Sequence, residues 1–422
     1  NDNVAITELV KNSYDAGSQI VDITFSGIVK KKEVIKRNAR KEIKEEESYI
    51  DKESASIIIF DEGSGMSFDT IETAWMEPAT NYKKKQENKN QTRRFSGEKG
   101  IGRFASAKLA SKLELVTRKK GEDEIVVNFD WDAFSDEEQY LDNVKIKWTI
   151  RPAQEIKTSG TILKLTGLND DWDESQINDL RVALSRLLNP VVPNEDFLIS
   201  LNLPDGINPA LSGLIERPET LNRPNYYIKG QILGNGNPTN ILFFSKNNGK
   251  EETIDFKPSF FTKEKPYTAG AFSFEFKVWN RDNDNLSNLA NETDSILSNV
   301  KKDLDDLCGI SIYRDGIRVL PYGNRNNDWV RLDLRRVNNP TLRLSNNQIV
   351  GYVSIGLDTN PLLKDQSNRE GIIESTAFED LKEYIKIILN EVEQRRYRER
   401  PRENQPIEYS KRSLFERLSL SS

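Results

Sequence analysis

Three polar side chains near the start of the chain recur at helical spacing. Glu8, Asn12 and Asp15 stand at i, i+4 and i+7 within Glu8-Leu9-Val10-Lys11-Asn12-Ser13-Tyr14-Asp15-Ala16-Gly17, so a helix would carry them on one face. Asn12 offers a neutral oxygen to Mg²⁺, an ion that takes few protein ligands and shares its other positions with phosphates and water. Glu8, one turn away, has the chemistry to orient and deprotonate a water. Leu9, Val10 and Ala16 supply apolar neighbours, and Gly17 stands where a left-handed cap would end the helix. The competing reading of the same residues is a solvated polar face on a helix whose other side packs, because short motifs match by chance.

A second group follows the apolar run Ile57-Ile58-Ile59-Phe60, which reads as a buried strand. Asp61-Glu62-Gly63-Ser64-Gly65-Met66 leaves its end. Asp61 can accept a hydrogen bond from the exocyclic amine of a small planar ligand, and Gly63 and Gly65 let backbone approach a ring closely. A tight turn begun by an Asp side chain uses the same residues. Ser67 reads as the N-cap of a helix carrying Ile71, Ala74 and Trp75. A third group, Ser96-Gly97-Glu98-Lys99-Gly100-Ile101-Gly102-Arg103-Phe104-Ala105, leads glycines into a helix over 103–111. Free N–H groups at such a helix start form a cradle for an anion, phosphate above all.

The elements that must position these groups come next. Ile20 to Phe25 reads as a strand, and residues 28–54 carry a long run of mixed charge, expected to be a solvated helical arm or a flexible insertion. Residues 78–96 lose apolar periodicity and become Lys- and Asn-rich, the composition of a lid or a disordered loop. Strands are predicted at 113–118, 124–131, 144–150 and 161–168, the last introduced by Ser159-Gly160-Thr161, giving an antiparallel sheet with the helices on one face. Further strands at 197–203, 226–233, 241–244, 272–279 and 349–357 are interleaved with helical stretches at 176–188 and 289–307. A hairpin turning at Asp315-Gly316 and an amphipathic helix over 375–396, buried through Phe378, Leu381, Ile385 and Ile388, complete a second α+β unit.

Composition bounds the function. The 422 residues can hold two domains or three, and 61 Lys and Arg against 67 Asp and Glu give a net charge of −6, which advertises no nucleic-acid field. There is no histidine, which removes histidine bases, metal ligands and phospho-acceptors. The single Cys308 excludes an internal disulfide framework and fits a reducing, cytoplasmic setting. No run reaches the ~20 apolar residues of a membrane span. The chain opens without Met inside a helical pattern, so residues upstream are expected.

Taken in order, Glu-x-x-x-Asn-x-x-Asp-Ala, Asp-x-Gly-x-Gly, the lid, Gly-x-x-Gly-x-Gly and Gly-Thr resemble the GHKL ATPase superfamily of gyrase, heat-shock chaperone, histidine kinase and MutL, over residues 1–168. The resemblance implies an α+β chain with a Bergerat-type α/β sandwich that binds ATP and Mg²⁺ over residues 1–168. In it Glu8 would be the general base, Asn12 the Mg²⁺ ligand and Asp61 the adenine reader, with Asp15, Gly63, Gly65 and Met66 beside it. Thr161 would assist Asp61, and Gly97, Lys99, Gly100, Ile101, Gly102, Arg103 and Phe104 would serve the phosphates.

Residues 169–396 are similar to the transducer domain, a ribosomal S5-like α+β unit, found in the chaperone, MutL and topoisomerase branches; 397–422 form a tail. The segment ending Ser367-Asn368-Arg369-Glu370 is similar to the chaperone loop whose arginine reaches the γ-phosphate, which would make Arg369 catalytic. The residues around Tyr313, Arg318, Trp329 and Arg335-Arg336 are most similar to MORC and prokaryotic MORC-like ATPases. Three readings follow: a MORC-like or chaperone-like clamp, of a kind that in bacteria accompanies antiviral defence systems; the ATPase part of a MutL- or topoisomerase-like DNA machine; or a signalling histidine kinase. The resemblance implies an ATP-dependent homodimer, with protein or DNA as the partner left open and no membrane. The Arg395–Arg402 stretch could touch nucleic acid, but its interleaved Glu393, Glu399 and Glu403 favour a solvated helix end.

Overall fold

A computed structural model describes residues 2–38, 41–72, 102–132, 146–190, 197–255, 266–366 and 371–399, with backbone alone at 36–38, 41–43 and 102–104. The first part comprises α1 (Asp2–Asp15), β1 (Ile20–Ser26), β2 (Val29–Asn38), β3 (Lys41–Ile50), β4 (Ser56–Asp61), α2 (Gly102–Leu109), β5 (Ala110–Arg118), β6 (Glu124–Asp130), β7 (Lys147–Arg151), β8 (Gly160–Leu168), β9 (Trp172–Asp173), α3 (Glu174–Ser185), β10 (Leu198–Asn202) and β11 (Gly213–Leu214). The second comprises β12 (Tyr226–Ile232), β13 (Pro238–Ser245), β14 (Lys250–Thr253), β15 (Phe272–Val278), α4 (Asn283–Glu292), α5 (Leu297–Leu307), β16 (Gly309–Arg314), β17 (Ile317–Val319), α6 (Leu332–Asn338), β18 (Ile349–Ile355) and α7 (Thr376–Glu399). The class is the expected mixture of sheets and helices.

One sheet runs β11-β10-β1-β4-β8-β5-β6-β7. Its centre is antiparallel as expected, but β10 lies parallel to β1, with Ile20 opposite Leu198. That strand returns through α3, the crossover a parallel neighbour requires. The sheet therefore reaches Leu214, past the boundary expected at residue 168. α1 covers it because Ile6, Leu9, Val10, Ser13 and Tyr14 form one buried stripe at helical spacing, while Glu8, Lys11 and Asn12 remain half-buried on the other side. Tyr14 meets Phe197 edge-on at 5.3 Å, which ties the helix to the segment entering β10.

The charged run over 28–54 is a β-hairpin, neither the helical arm nor the flexible insertion expected. β2 and β3 pair from Val29 opposite Ile50 out to Asn38 opposite Lys41. Opposite charges meet across the strands, Lys31 with Glu46 at 3.1 Å and Lys44 with Glu33 at 3.2 Å. Such exposed pairs contribute at most about 1 kcal/mol each, so the base of the hairpin is what anchors it. There Ile50 pairs with Trp172 and both are buried. Lys32 Nζ also reaches Asp173 at 2.7 Å, and Asp173 caps the N-terminus of α3.

A second sheet runs β14-β13-β12-β15-β18-β16-β17, with α7 across it. Phe378, Leu381, Ile385 and Ile388 are buried there, as predicted. The hairpin turn falls at Asp315-Gly316 with both φ angles positive, 49° and 90°, the geometry of a tight two-residue β-turn. The helical stretch expected over 289–307 is two helices. They are separated by a break in which Asp294 takes φ 47° and the Thr293 N–H returns to Leu289 O. The C-terminal turn of α7 is not the solvated end expected: Arg396 is buried with Nε on Asn280 Oδ1 at 3.1 Å, and Arg395 pairs with Glu252 while lying over the Phe243 ring.

The two parts are joined by backbone. Asn189 N–H donates to Gly316 O and Arg318 N–H to Leu187 O, both at 3.0 Å, so the β16–β17 hairpin extends the chain leaving α3. Ile317 enters the core of the first sheet.

Candidate functional site

The centre of the site is the end of β4. β1 and β8 flank that strand, with Val21 and Thr161 opposite Asp61, so the Asp61 carboxylate emerges between two neighbours and is only 7% exposed. Ser13 Oγ donates to Asp61 Oδ2 at 3.0 Å and the Gly63 N–H to Oδ1 at 2.9 Å. Burial pushes the Asp61 carboxyl up to about 6; the bonds from Gly63, Ser13 and the Thr161 backbone oppose that shift without cancelling it. A buried acid with no cationic partner among the described residues is costly to ionise, and a ligand N–H would relieve the cost.

The loop after Asp61 is held against two elements. Ser64 N–H donates to Ala16 O at 2.9 Å, fastening it to the end of α1, where Gly17 takes the expected left-handed conformation. Gly65 also has a positive φ, and a Cβ there would lie 1.9 Å from Arg118 O, so no other residue fits without moving β5. Met66 N–H donates to Thr117 Oγ1 at 2.9 Å. The Thr117 hydroxyl in turn reaches Gly160 O at 3.0 Å and lies 3.0 Å from Thr161 Oγ1. With the Thr117 proton committed to Gly160, Thr161 donates to Thr117 and keeps its lone pairs as acceptors beside Asp61.

Of the residues named from sequence, Asp61, Gly63, Gly65, Met66 and Thr161 thus come together with α1. Asp15 is buried, and Glu8 and Asn12 are half-buried on the same helix. Glu8 is not alone: Lys11 Nζ sits 2.7 Å from Glu8 Oε1. The Ser67 cap is present, with its Oγ accepting from Thr70 N–H. Gly102 opens α2, which packs against α1, while the side chains of Arg103 and Phe104 lie outside the described residues. Gly97, Lys99, Gly100, Ile101, Arg369 and the lid over 78–96 also lie outside them.

Ser13, Thr117 and Lys11 were missed from sequence. Ser13 falls off the Glu8–Asn12–Asp15 stripe, and Thr117 acts only because β5 places it opposite Thr161. The pairing of β5 with β8 was the one signal that could have found it.

Among the described residues no group of three or more His, Cys, Asp or Glu could cage a metal. The donors present suit Mg²⁺, which an amide such as Asn12 can hold together with phosphate oxygens and water. No described helix is long and apolar enough to cross a membrane.

Residues 1–161 match the family model described as histidine kinase-, DNA gyrase B-, and HSP90-like ATPase. The match runs from α1 through Thr161, so it takes in every described residue of the cluster around Asp61. It is the superfamily that the ordered motifs resemble. Among curated proteins none matches the chain.

Proposed function

We propose that residues 1–161 bind Mg–ATP and hydrolyse it. The observation that carries this reading is the buried Asp61 carboxylate, set beside the Thr161 hydroxyl and backed by glycines, within the segment that matches the ATPase family. Asp61 accepts the adenine amine while Gly63 and Gly65 leave room for the ring. Glu8 orients the attacking water and takes its proton. Lys11, with Nζ 2.7 Å from Glu8 Oε1, pairs with the Glu8 carboxylate and fixes its rotamer. Asn12 supplies the protein ligand to Mg²⁺, which when bound offsets phosphate charge. Glycines 97, 100 and 102 cradle the phosphates, and Arg369 reaches the γ-phosphate from the second domain.

We further propose that residues 169–396 act as a transducer in a clamp of the MORC-like or chaperone-like kind. The support is a continuous path: α1 packs on α3, and the chain leaving α3 is hydrogen-bonded to the β16–β17 hairpin of the second sheet.

Calorimetric titration with Mg–ATP tests the nucleotide assignment. The parent binds, and Asp61→Ala binds about ten- to a hundredfold more weakly, as expected for losing one buried hydrogen-bonding partner. A parent that binds no nucleotide, or a variant that binds as tightly as the parent, would sink the reading.

A further inference from the structure

A cavity of about 340 Å³ lies where α1 and α3 meet the β16–β17 hairpin and the turn that follows it. This is within the range of small-molecule pockets. Its α1 wall is formed by Asn3, Val4, Thr7 and Lys11, and none of Glu8, Asn12, Asp15, Asp61 or Thr161 lines it. Four cationic side chains, Lys11, Arg186, Arg318 and Arg325, line it against two carboxylates, Asp179 and Asp306.

Arg318 is the unusual group. It is 5% exposed, donates Nε to Tyr322 O at 3.0 Å and Nη2 to Asn324 Oδ1 at 2.7 Å, and has no carboxylate partner among the described residues. Arg186, also buried, spends its guanidinium on the carbonyls of Asp306, Leu307, Cys308 and Gly323. Lys11 is already paired with Glu8. Burial, and then the neighbouring Arg186 charge, pull the Arg318 guanidinium down to about 9. A buried guanidinium without a counter-charge is an expensive arrangement unless an anion completes it. Val4, Val182, Leu187 and Leu320 supply an apolar wall facing these charges.

We propose that this interdomain cavity binds a small organic phosphate, its dianionic head on Arg318 and Arg325 and its apolar body against the valine and leucine wall. Guanidinium and phosphate match in geometry, and charge-assisted bonds of this kind are the strong ones. The proposal stands whether or not residues 1–161 hold ATP.

Phenyl phosphate is a suitable probe, titrated into the full chain by calorimetry and followed by ³¹P resonance, with and without saturating Mg–ATP. The expected result is one site that ATP does not displace and that takes phenyl phosphate more tightly than inorganic phosphate. Arg318→Met should weaken it at least about tenfold, with Arg318→Lys intermediate. Because Arg318 is buried, Arg325→Glu at an exposed position serves as the second variant and should weaken binding to a similar degree without affecting folding. Absence of binding at millimolar probe overturns the proposal, as does unchanged affinity in Arg325→Glu or in a folded Arg318→Met. Displacement by ATP would move the anion to the nucleotide site. Equal affinity for inorganic phosphate would remove the organic body.

Discussion

Ser13 Oγ donates to Asp61 Oδ2 over 3.0 Å, so α1 and the end of β4 meet on a single carboxylate. The bond makes the helix that carries Glu8 and Asn12 dependent on the strand that carries Asp61. Burial, against the pull of that bond, raises the carboxyl from its ordinary 3.8 to about 6.

That shift has a stability consequence. With the folded value above the unfolded one, Asp61 favours the fold below pH 3.8, and this contribution is lost as pH rises through about 6. Asp61→Asn, neutral at every pH, should therefore be more stable than the parent above pH 6, by roughly 2–3 kcal/mol at about 1.4 kcal/mol per pH unit. Chemical denaturation at pH 7 and pH 4.5 measures it. A variant no more stable at pH 7 would mean that Asp61 is comfortably ionised by contacts outside the described residues.

The same group predicts proton release on nucleotide binding. An amine donor favours the carboxylate and so lowers its pKa, which means that affinity should fall as pH drops through about 6, by at most about tenfold per unit. Calorimetry at pH 6 in two buffers of different ionisation enthalpy reads the released proton directly. Identical heats in both buffers would leave Asp61 out of the adenine contact.

Much of this arrangement is legible in the sequence, and the reasons for the rest are physical. The Glu8–Gly17 helix, the β4 end and the Asp315-Gly316 turn were readable because each is fixed by neighbours a few residues away. The hairpin over 29–50 was not, since its alternating faces both carry charge and the hydrophobic period that marks a strand is weak. Ser13 and Thr117 act through partners 48 and 44 residues distant, and local spacing holds no record of such pairs. The parallel entry of β10 beside β1 is likewise a property of the α3 crossover, invisible until α3 has been packed.

Glu8 separates binding from chemistry. Glu8→Gln keeps the side chain's size and should leave ATP affinity near the parent's, while turnover falls by about 10²–10⁴. The comparison needs steady-state hydrolysis beside a binding titration on the same preparation. Equal turnover in the two proteins would assign the base elsewhere, and a drop in affinity that matches the drop in rate would make Glu8 a ligand contact.

The junction between the two sheets gives the last prediction. Arg186 lies just beyond the last residue of α3, and its guanidinium donates to the carbonyls of Asp306, Leu307 and Cys308 at the end of α5 and to Gly323 O, while its own carbonyl accepts from the Tyr313 hydroxyl at 2.9 Å. One side chain thus satisfies the C-terminal carbonyls of a helix in the second part from a position in the first. Arg186→Met keeps length and apolar packing but strands several buried acceptors, each worth roughly 1–3 kcal/mol when unpaired. The backbone bonds of Leu187 and Asn189 to the hairpin remain, so the parts should loosen rather than separate. The expected outcome is a calorimetric unfolding transition that splits in two, with the first domain still binding nucleotide. Proteolysis should begin between residues 215 and 225, the segment that joins β11 of the first sheet to β12 of the second. A single transition at the parent's midpoint, with no new cleavage there, would show that coupling across the junction runs through the β16–β17 backbone and Ile317 alone.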